Sequence, residues 1–199
     1  MTTSRDRSMT RSLDLTLTAT TGNDYIPYLR KYLIAAHKLL GKRTALREMS
    51  VALIGDRTMS RLHQQFMGIP GPTDVLTFPL EMARGSPKNR ALSGEVVIDV
   101  AEARRRGKSE GIAPKLEVLL YAIHGMLHLC GYDDQTDRAY RAMHRMEDHL
   151  LTKLGLGPVF HRTTHATGSR ADSRGGKTGA IPNSQRRTIP HAPRGSRRR

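Results

Sequence analysis

The sequence predicts an α+β domain. Three observations carry that expectation. Four short segments have the residue pattern of strands, amphipathic runs of helical period lie between and after them, and 199 residues suit one domain with a core of ordinary size.

The elements follow in chain order. Residues 1–12 are polar and are expected to form a flexible N-terminus. From Leu13 the apolar side chains alternate through Leu15, Leu17 and Ala19, as in a strand with one buried face. Asn23 or Asp24 can cap a helix with Pro27 in its first turn, Ile26, Leu29, Leu33, Ala36 and Leu40 on its inner face and Gly41 at its end. Met49, Val51, Leu53 and Ile54 mark a second strand. A helix over about residues 58–67 places Met59, Leu62 and Phe66 on one side. The turn formers Gly68, Pro70, Gly71 and Pro72 then lead into a strand at residues 75–78. Residues 82–93 read as a basic loop, followed by a strand around residues 95–100, whose continuous apolar centre fits a strand covered on both faces.

Arg104, Arg105, Arg106 and Lys108 form a basic cluster, read as a solvated helix face with RNA contact as the alternative. Pro114 starts a helix whose buried stripe is Leu116, Leu119, Leu120, Ile123 and Leu127, with histidines at the stripe's edge. A last helix over about residues 136–154 presents Ala139, Met143, Met146 and Leu150 on one side and should pack against the preceding helix. No internal repeat is visible.

Chemistry concentrates at the end of the Pro114 helix, in His124-Gly125-Met126-Leu127-His128-Leu129-Cys130-Gly131-Tyr132-Asp133-Asp134. Residues four apart lie on one helix face, so His124 and His128 aim their imidazoles at one point. Gly131 can take the left-handed conformation that ends a helix, and the returning chain can bring Asp134 to the same point. The pattern H-x3-H-x2-G-x2-D is close to the extended zinc motif of one protease class, where a Glu after the first His serves as general base. Gly125 stands there instead. It cannot move a proton, which keeps the metal-binding half of the motif and removes the proteolytic half. Cys130, the sole cysteine, falls on another side of the helix and reads as a small core residue.

Composition narrows the setting. One cysteine fits a reducing cytoplasm, and no apolar run nears the ~18 residues of a membrane span, so the expected localisation is cytoplasmic, without membrane. The net charge is +15, of which +9 falls in residues 161–199 and +6 in the rest. That Arg, Ser, Gly, Thr and Pro-rich tail, bounded at residues 158–199, is expected to be disordered, and a polyanion such as nucleic acid is its expected partner. The domain itself is expected over residues 13–157.

On two motifs in order, the chain resembles the YbeY family of bacterial rRNA-maturation endoribonucleases. HGMLHLCGYDD is similar to that family's H-G-x-L-H-L-x-G-Y-D-H, and Pro72-Thr73-Asp74-Val75-Leu76-Thr77-Phe78-Pro79 is similar to its P-T-D-V-L-S-F-P. The stretch Gly94-Glu95-Val96-Val97-Ile98 is similar to its G-D-I-x-I, and the resemblance spans roughly residues 13–155.

The resemblance implies a mixed sheet of about four strands with helices packed on it, and one Zn2+ ion, or another divalent metal, at the mouth of a positively lined cleft. It implies a single-strand-specific metallo-endoribonuclease acting in rRNA processing, notably 16S rRNA 3′-end maturation and ribosome quality control. The partners implied are ribosomal RNA, the small ribosomal subunit, a ribosome-assembly GTPase and ribosomal proteins. Carried over by position, the metal ligands are His124, His128 and Asp134, the last standing where the family has a His. The family often has an Arg where this chain has Met67, so Arg61, Arg84, Lys88 and Arg90 are the candidates to stabilise phosphate charge. Thr73 and Asp74 are expected to line the substrate cleft. The general base is unassigned, and attack by water or by the ribose 2′-hydroxyl stays open. The rival readings are a non-catalytic ribosome-assembly factor with a structural metal, and a metalloprotease.

Overall fold

A computed structural model describes residues 12–83, 85 and 90–158. The expected flexible N-terminus to residue 11, the basic residues Arg84 and Lys88, and the basic tail from residue 159 lie outside the described residues. Four strands, β1 (Asp14–Ala19), β2 (Glu48–Ile54), β3 (Val75–Met82) and β4 (Ala91–Asp99), form one sheet in the order β1-β2-β4-β3. β1 pairs parallel to β2 and β2 parallel to β4, whereas β3 runs antiparallel to β4. With α1 (Ile26–Leu40), α2 (Asp56–Met67), α3 (Val100–Glu110), α4 (Pro114–Leu129) and α5 (Asp137–Lys153), this is the expected α+β domain with a mixed sheet.

Strand alternation sorts the core into two faces. Val75 pairs with Ile98 and Thr77 with Val96, so these four share one face, while Leu76 and Val97 share the other. The first face, with Met49, Val51 and Leu53, packs on α1 and α4. The second, with Ile54, packs on Met59 of α2. α2 and α4 therefore lie across the sheet from each other. β4 is covered on both sides, which accounts for its near-continuous apolar run.

Several boundaries depart from expectation. Neither Asn23 nor Asp24 caps α1; both lie in a 3-10 turn, Asn23–Tyr25, that leads into it, with Pro27 in the first helical turn as expected. β3 runs on to Met82 and β4 begins at Ala91, so both ends of the stretch expected as a basic loop are strand, and Val100 opens α3. Antiparallel pairing drew in residues whose polarity had read as loop. Phe66 is on the expected side of α2 but half exposed, and its ring meets Phe78 edge-on at 4.9 Å. Among the described residues no helix is long and apolar enough to cross a membrane.

Arg105 and Arg106 of the α3 cluster are taken up in ion pairs. Arg105 engages Asp56 and Glu102, Arg106 engages Glu110 and Glu117, and Arg104 donates to the Tyr25 hydroxyl. Arg104, Arg105 and Lys108 are exposed, and the ion pairs of Arg105 and Arg106 tie α3 to α2 and α4.

Candidate metal centre

α4 is not an amphipathic helix with histidines at the edge of its stripe. Every residue from Glu117 to Leu127 is buried, His124 completely, because the sheet covers one side of α4 while α1, α3 and α5 also pack against it. Close approach to the sheet needs Gly125. A Cβ there would stand 2.7 Å and 2.8 Å from the two Val96 methyls and 2.9 Å from Thr77 Oγ1. Gly125 therefore faces the sheet, and a side chain at this position would run into it.

The helix ends as its sequence dictates. Gly131 has φ 81°, and its N–H donates to His128 O while Tyr132 N–H donates to Leu127 O, the paired bonds of a Schellman stop. Asp133 shapes the next turn, its Oδ1 accepting from the N–H of Asp134 at 2.8 Å and of Gln135 at 3.2 Å. Thr136 then caps α5 by accepting from Ala139 N–H. Between these two signals Asp134 is turned inward and buried.

His124, His128 and Asp134 come together, each offering an atom within 4.8 Å of the others. His124 Nε2 lies 3.1 Å from His128 Nε2 and 3.9 Å from Asp134 Oδ2. Ligand atoms around a tetrahedral ion with ~2.0–2.1 Å bonds sit roughly 3.3–3.4 Å apart, and the two separations from His124 Nε2 fall on either side of that value. Asp134 Oδ2 is buried with no hydrogen-bond partner among the described residues, and burial pushes its carboxyl above the usual aspartate range, against the pull of His124. A buried acceptor in that position is satisfied by a cation. Two imidazoles and a carboxylate are a donor set for zinc that leaves one position for water.

α5 supplies two residues that the sequence reading passed over. Glu147, fully buried, places Oε1 2.6 Å from His124 Nδ1 and Oε2 2.6 Å from His144 Nδ1. Burial alone would push this carboxyl up, but the two imidazole hydrogen bonds outweigh it and hold Glu147 well below the usual glutamate range. A signal was present: Tyr140, Met143, Glu147, Leu150 and Leu151 share the buried face of α5, and a glutamate in that stripe needs a partner. Cys130 is buried as expected, with its thiol pushed up to about 11 by burial.

Of the other expected site residues, Arg84 and Lys88 lie outside the described residues. Arg61 is exposed on α2, across the sheet from α4, and Met67 at the end of α2 packs against the second-face core. Arg90 donates to Lys42 O at 3.0 Å. Thr73 Oγ1 and Val75 N–H both donate to Asp74 Oδ1, shaping the start of β3.

A helix-borne imidazole pair, a carboxylate from the turn that follows and a buried outer carboxylate, on a mixed α+β sheet, define a candidate mononuclear metal centre of hydrolase type. The family model described as Endoribonuclease YbeY matches residues 17–155, and the chain belongs to that family. It is thereby an enzyme of the nuclease class.

Among curated relatives, the Endoribonuclease YbeY of Cutibacterium acnes is 35% identical over 108 residues, 52% of this chain and 70% of that protein. That of Kineococcus radiotolerans is 39% identical over 110 residues, covering 53% and 64%. That of Anaeromyxobacter sp. is 40% identical over 117 residues, covering 59% and 58%. The solution structure of TM1509 from Thermotoga maritima aligns with a TM-score of 0.49 at 22% identity, over 80% of this chain and 99% of that one.

Proposed function

We propose that this protein is a metal-dependent endoribonuclease that cleaves single-stranded segments of ribosomal RNA, with Zn2+ held by His124, His128 and Asp134. The observation that supports it best is the convergence of those three side chains, all within 4.8 Å, with a buried and unpartnered carboxylate oxygen among them. When bound, the ion would act as a Lewis acid toward a phosphodiester oxygen or lower the pKa of a water. The chain's own residues hold that centre in place. Glu147 anchors His124, helix period sets His128 on the same face, and the Gly131 stop and Asp133 turn deliver Asp134. Position 125, where a metalloprotease of the related motif carries its base, faces Val96 and Thr77. Proteolysis therefore has no residue to act through there.

The finer reading places the reaction in the cytoplasm on the small ribosomal subunit, in 16S rRNA 3′-end maturation and ribosome quality control. A ribosome-assembly GTPase and ribosomal proteins are the accompanying partners. Thr73 and Asp74 are assigned to the cleft and Arg61, Arg84, Lys88 and Arg90 to phosphate charge, with the domain at residues 13–157 and a basic tail at 158–199 adding phosphate contacts.

The test is cleavage of a small-subunit rRNA fragment by the purified full chain, with metal content measured in parallel. Chelator-sensitive cleavage that returns with added Zn2+ is the expected result. A chain that holds stoichiometric metal and cleaves no RNA overturns the catalytic reading and leaves the assembly-factor one. End analysis of the products then separates the two nucleophiles, since a 2′,3′-cyclic phosphate excludes direct hydrolysis.

A further inference from the structure

The Glu147 carboxylate lies between two imidazoles, one of them a proposed metal ligand and the other, His144, outside that set. The distances are 2.6 Å on both sides, and Glu147 and His124 are 0% exposed and His144 4%. An ionised carboxylate has acceptors and no donor, so at this distance each Nδ1 carries the proton and donates it to Glu147. Each ring is then held in the tautomer whose Nε2 bears the lone pair. For His124 that is the atom 3.1 Å from His128 Nε2 and 3.9 Å from Asp134 Oδ2.

We propose that Glu147 is a positioning residue of the metal centre. It locks His124 in the ligating tautomer, and by giving its second oxygen to His144 it makes the docking of α5 and the affinity of the centre for metal a single event. The proposal rests on the reading of His124, His128 and Asp134 as ligands.

Counting donors and acceptors gives a consequence that a merely structural glutamate would not share. Glutamate presents two acceptors to two N–H donors. Glutamine, of the same shape, presents one carbonyl oxygen and one NH2 group. In Glu147→Gln the two rings compete for the carbonyl, and the ring facing the amide must invert and carry its proton on Nε2. His124 then spends part of its time unable to ligate. Removing the competitor should reverse this. His144→Phe keeps a ring of similar volume against Tyr140, whose centroid is 4.2 Å from that of His144, and frees the glutamine carbonyl for His124.

The experiment uses the full chain with Zn2+ alone, titrated in competition with a chromophoric chelator. Far-UV circular dichroism checks the fold of each variant, and 15N NMR of the imidazoles reads tautomer in the zinc-free wild type. Glu147→Gln should bind Zn2+ about 10–100-fold more weakly. The Glu147→Gln/His144→Phe double variant should bind more tightly than Glu147→Gln alone. His124 in the wild type should show its proton on Nδ1. Folded Glu147→Gln with wild-type affinity, or a double variant no tighter than the single, overturns the proposal. So does an Nε2-protonated His124 in the wild type, whether or not the variants fold. If instead the wild type binds no Zn2+, or Asp134→Ala binds it undiminished, the ligand reading fails.

Discussion

Two clusters of ionisable side chains among the described residues differ in what surrounds them. At the junction of α2 and α3, Arg105 makes a bidentate pair with Asp56, at 2.6 Å and 2.7 Å, and a further bond to Glu102. Arg105 and Asp56 are about half exposed, with side-chain exposures of 49% and 44%. At the junction of α4 and α5, His124, Asp134, His144 and Glu147 are all buried, and Glu147 pairs with both His124 and His144. In the first cluster the Arg105 guanidinium meets its counterions directly. The second leaves an unpartnered Asp134 oxygen beside two ring nitrogens. Proximity of charges does not make a site; buried lone pairs that converge without a counterion do.

The strongest way to break this contrast is at Asp134. Asp134→Ala should lower Zn2+ affinity by more than about 100-fold, beyond the loss expected from an outer partner, since it removes a ligand outright. Asp134→His should retain metal and measurable cleavage, and Asp134→Asn should bind more weakly than wild type. Competition titration measures all three, and undiminished binding by Asp134→Ala would return the centre to the self-contained kind. Asp133 and Asp137 would be examined next.

Gly125→Ala probes the packing that places the buried cluster. Alanine gains about 1 kcal/mol over glycine in a helix interior, but overpacking against Val96 and Thr77 costs about 1–3 kcal/mol. A net loss of stability in urea melts, with weaker Zn2+ binding as α4 shifts, is the expected outcome. A more stable variant would show that α4 has room to move.

Asp99 sharpens the other side of the comparison through pH. It caps α3, accepting from Ala101 and Glu102 N–H, and burial together with Asp56 pushes its carboxyl up to about 7. The Arg105 bonds, and after them the bond to Asp99, lower Asp56 to about 2. Folded Asp99 keeps its proton after the unfolded form has lost it near 3.8, so stability falls as pH rises from about 4 to about 7. The Asp56 contribution has the opposite sign, being present above 3.8 and lost as pH falls through about 2, and so lies outside that window. Asp99→Asn keeps the cap and a donor toward Asp56 but cannot titrate. Its urea stability should therefore stay level where the wild type declines, and parallel curves would exclude Asp99 as the titrating group. The smallest effect should come from Arg105→Ala, within about 1 kcal/mol, because a half-exposed pair is screened by water.

How much was legible follows from sequence separation. His124, His128 and Asp134 fall within eleven residues, and every device that joins them is local: helix period, a glycine stop and an aspartate turn. Glu147 is 23 residues from His124, and only the packing of α5 on α4 makes them partners. The apolar stripe read for α5, Ala139, Met143, Met146 and Leu150, leaves out the buried Glu147 beside it. Phe66 shows the converse, a residue on the correct helix face left half exposed because the sheet beneath α2 ends at its edge strand β3.

By itself, then, the sequence determined the α+β class, the centres of the strands and helices, and the convergence of His124, His128 and Asp134, because each depends on short-range periodicity and backbone stereochemistry. The tertiary structure alone decided the strand order, the burial of α4 on every side, the need for glycine at position 125 and the recruitment of Glu147 and His144. Those depend on which faces meet in space. Close packing sets that, through contacts between residues whose separation along the chain carries no periodic signal.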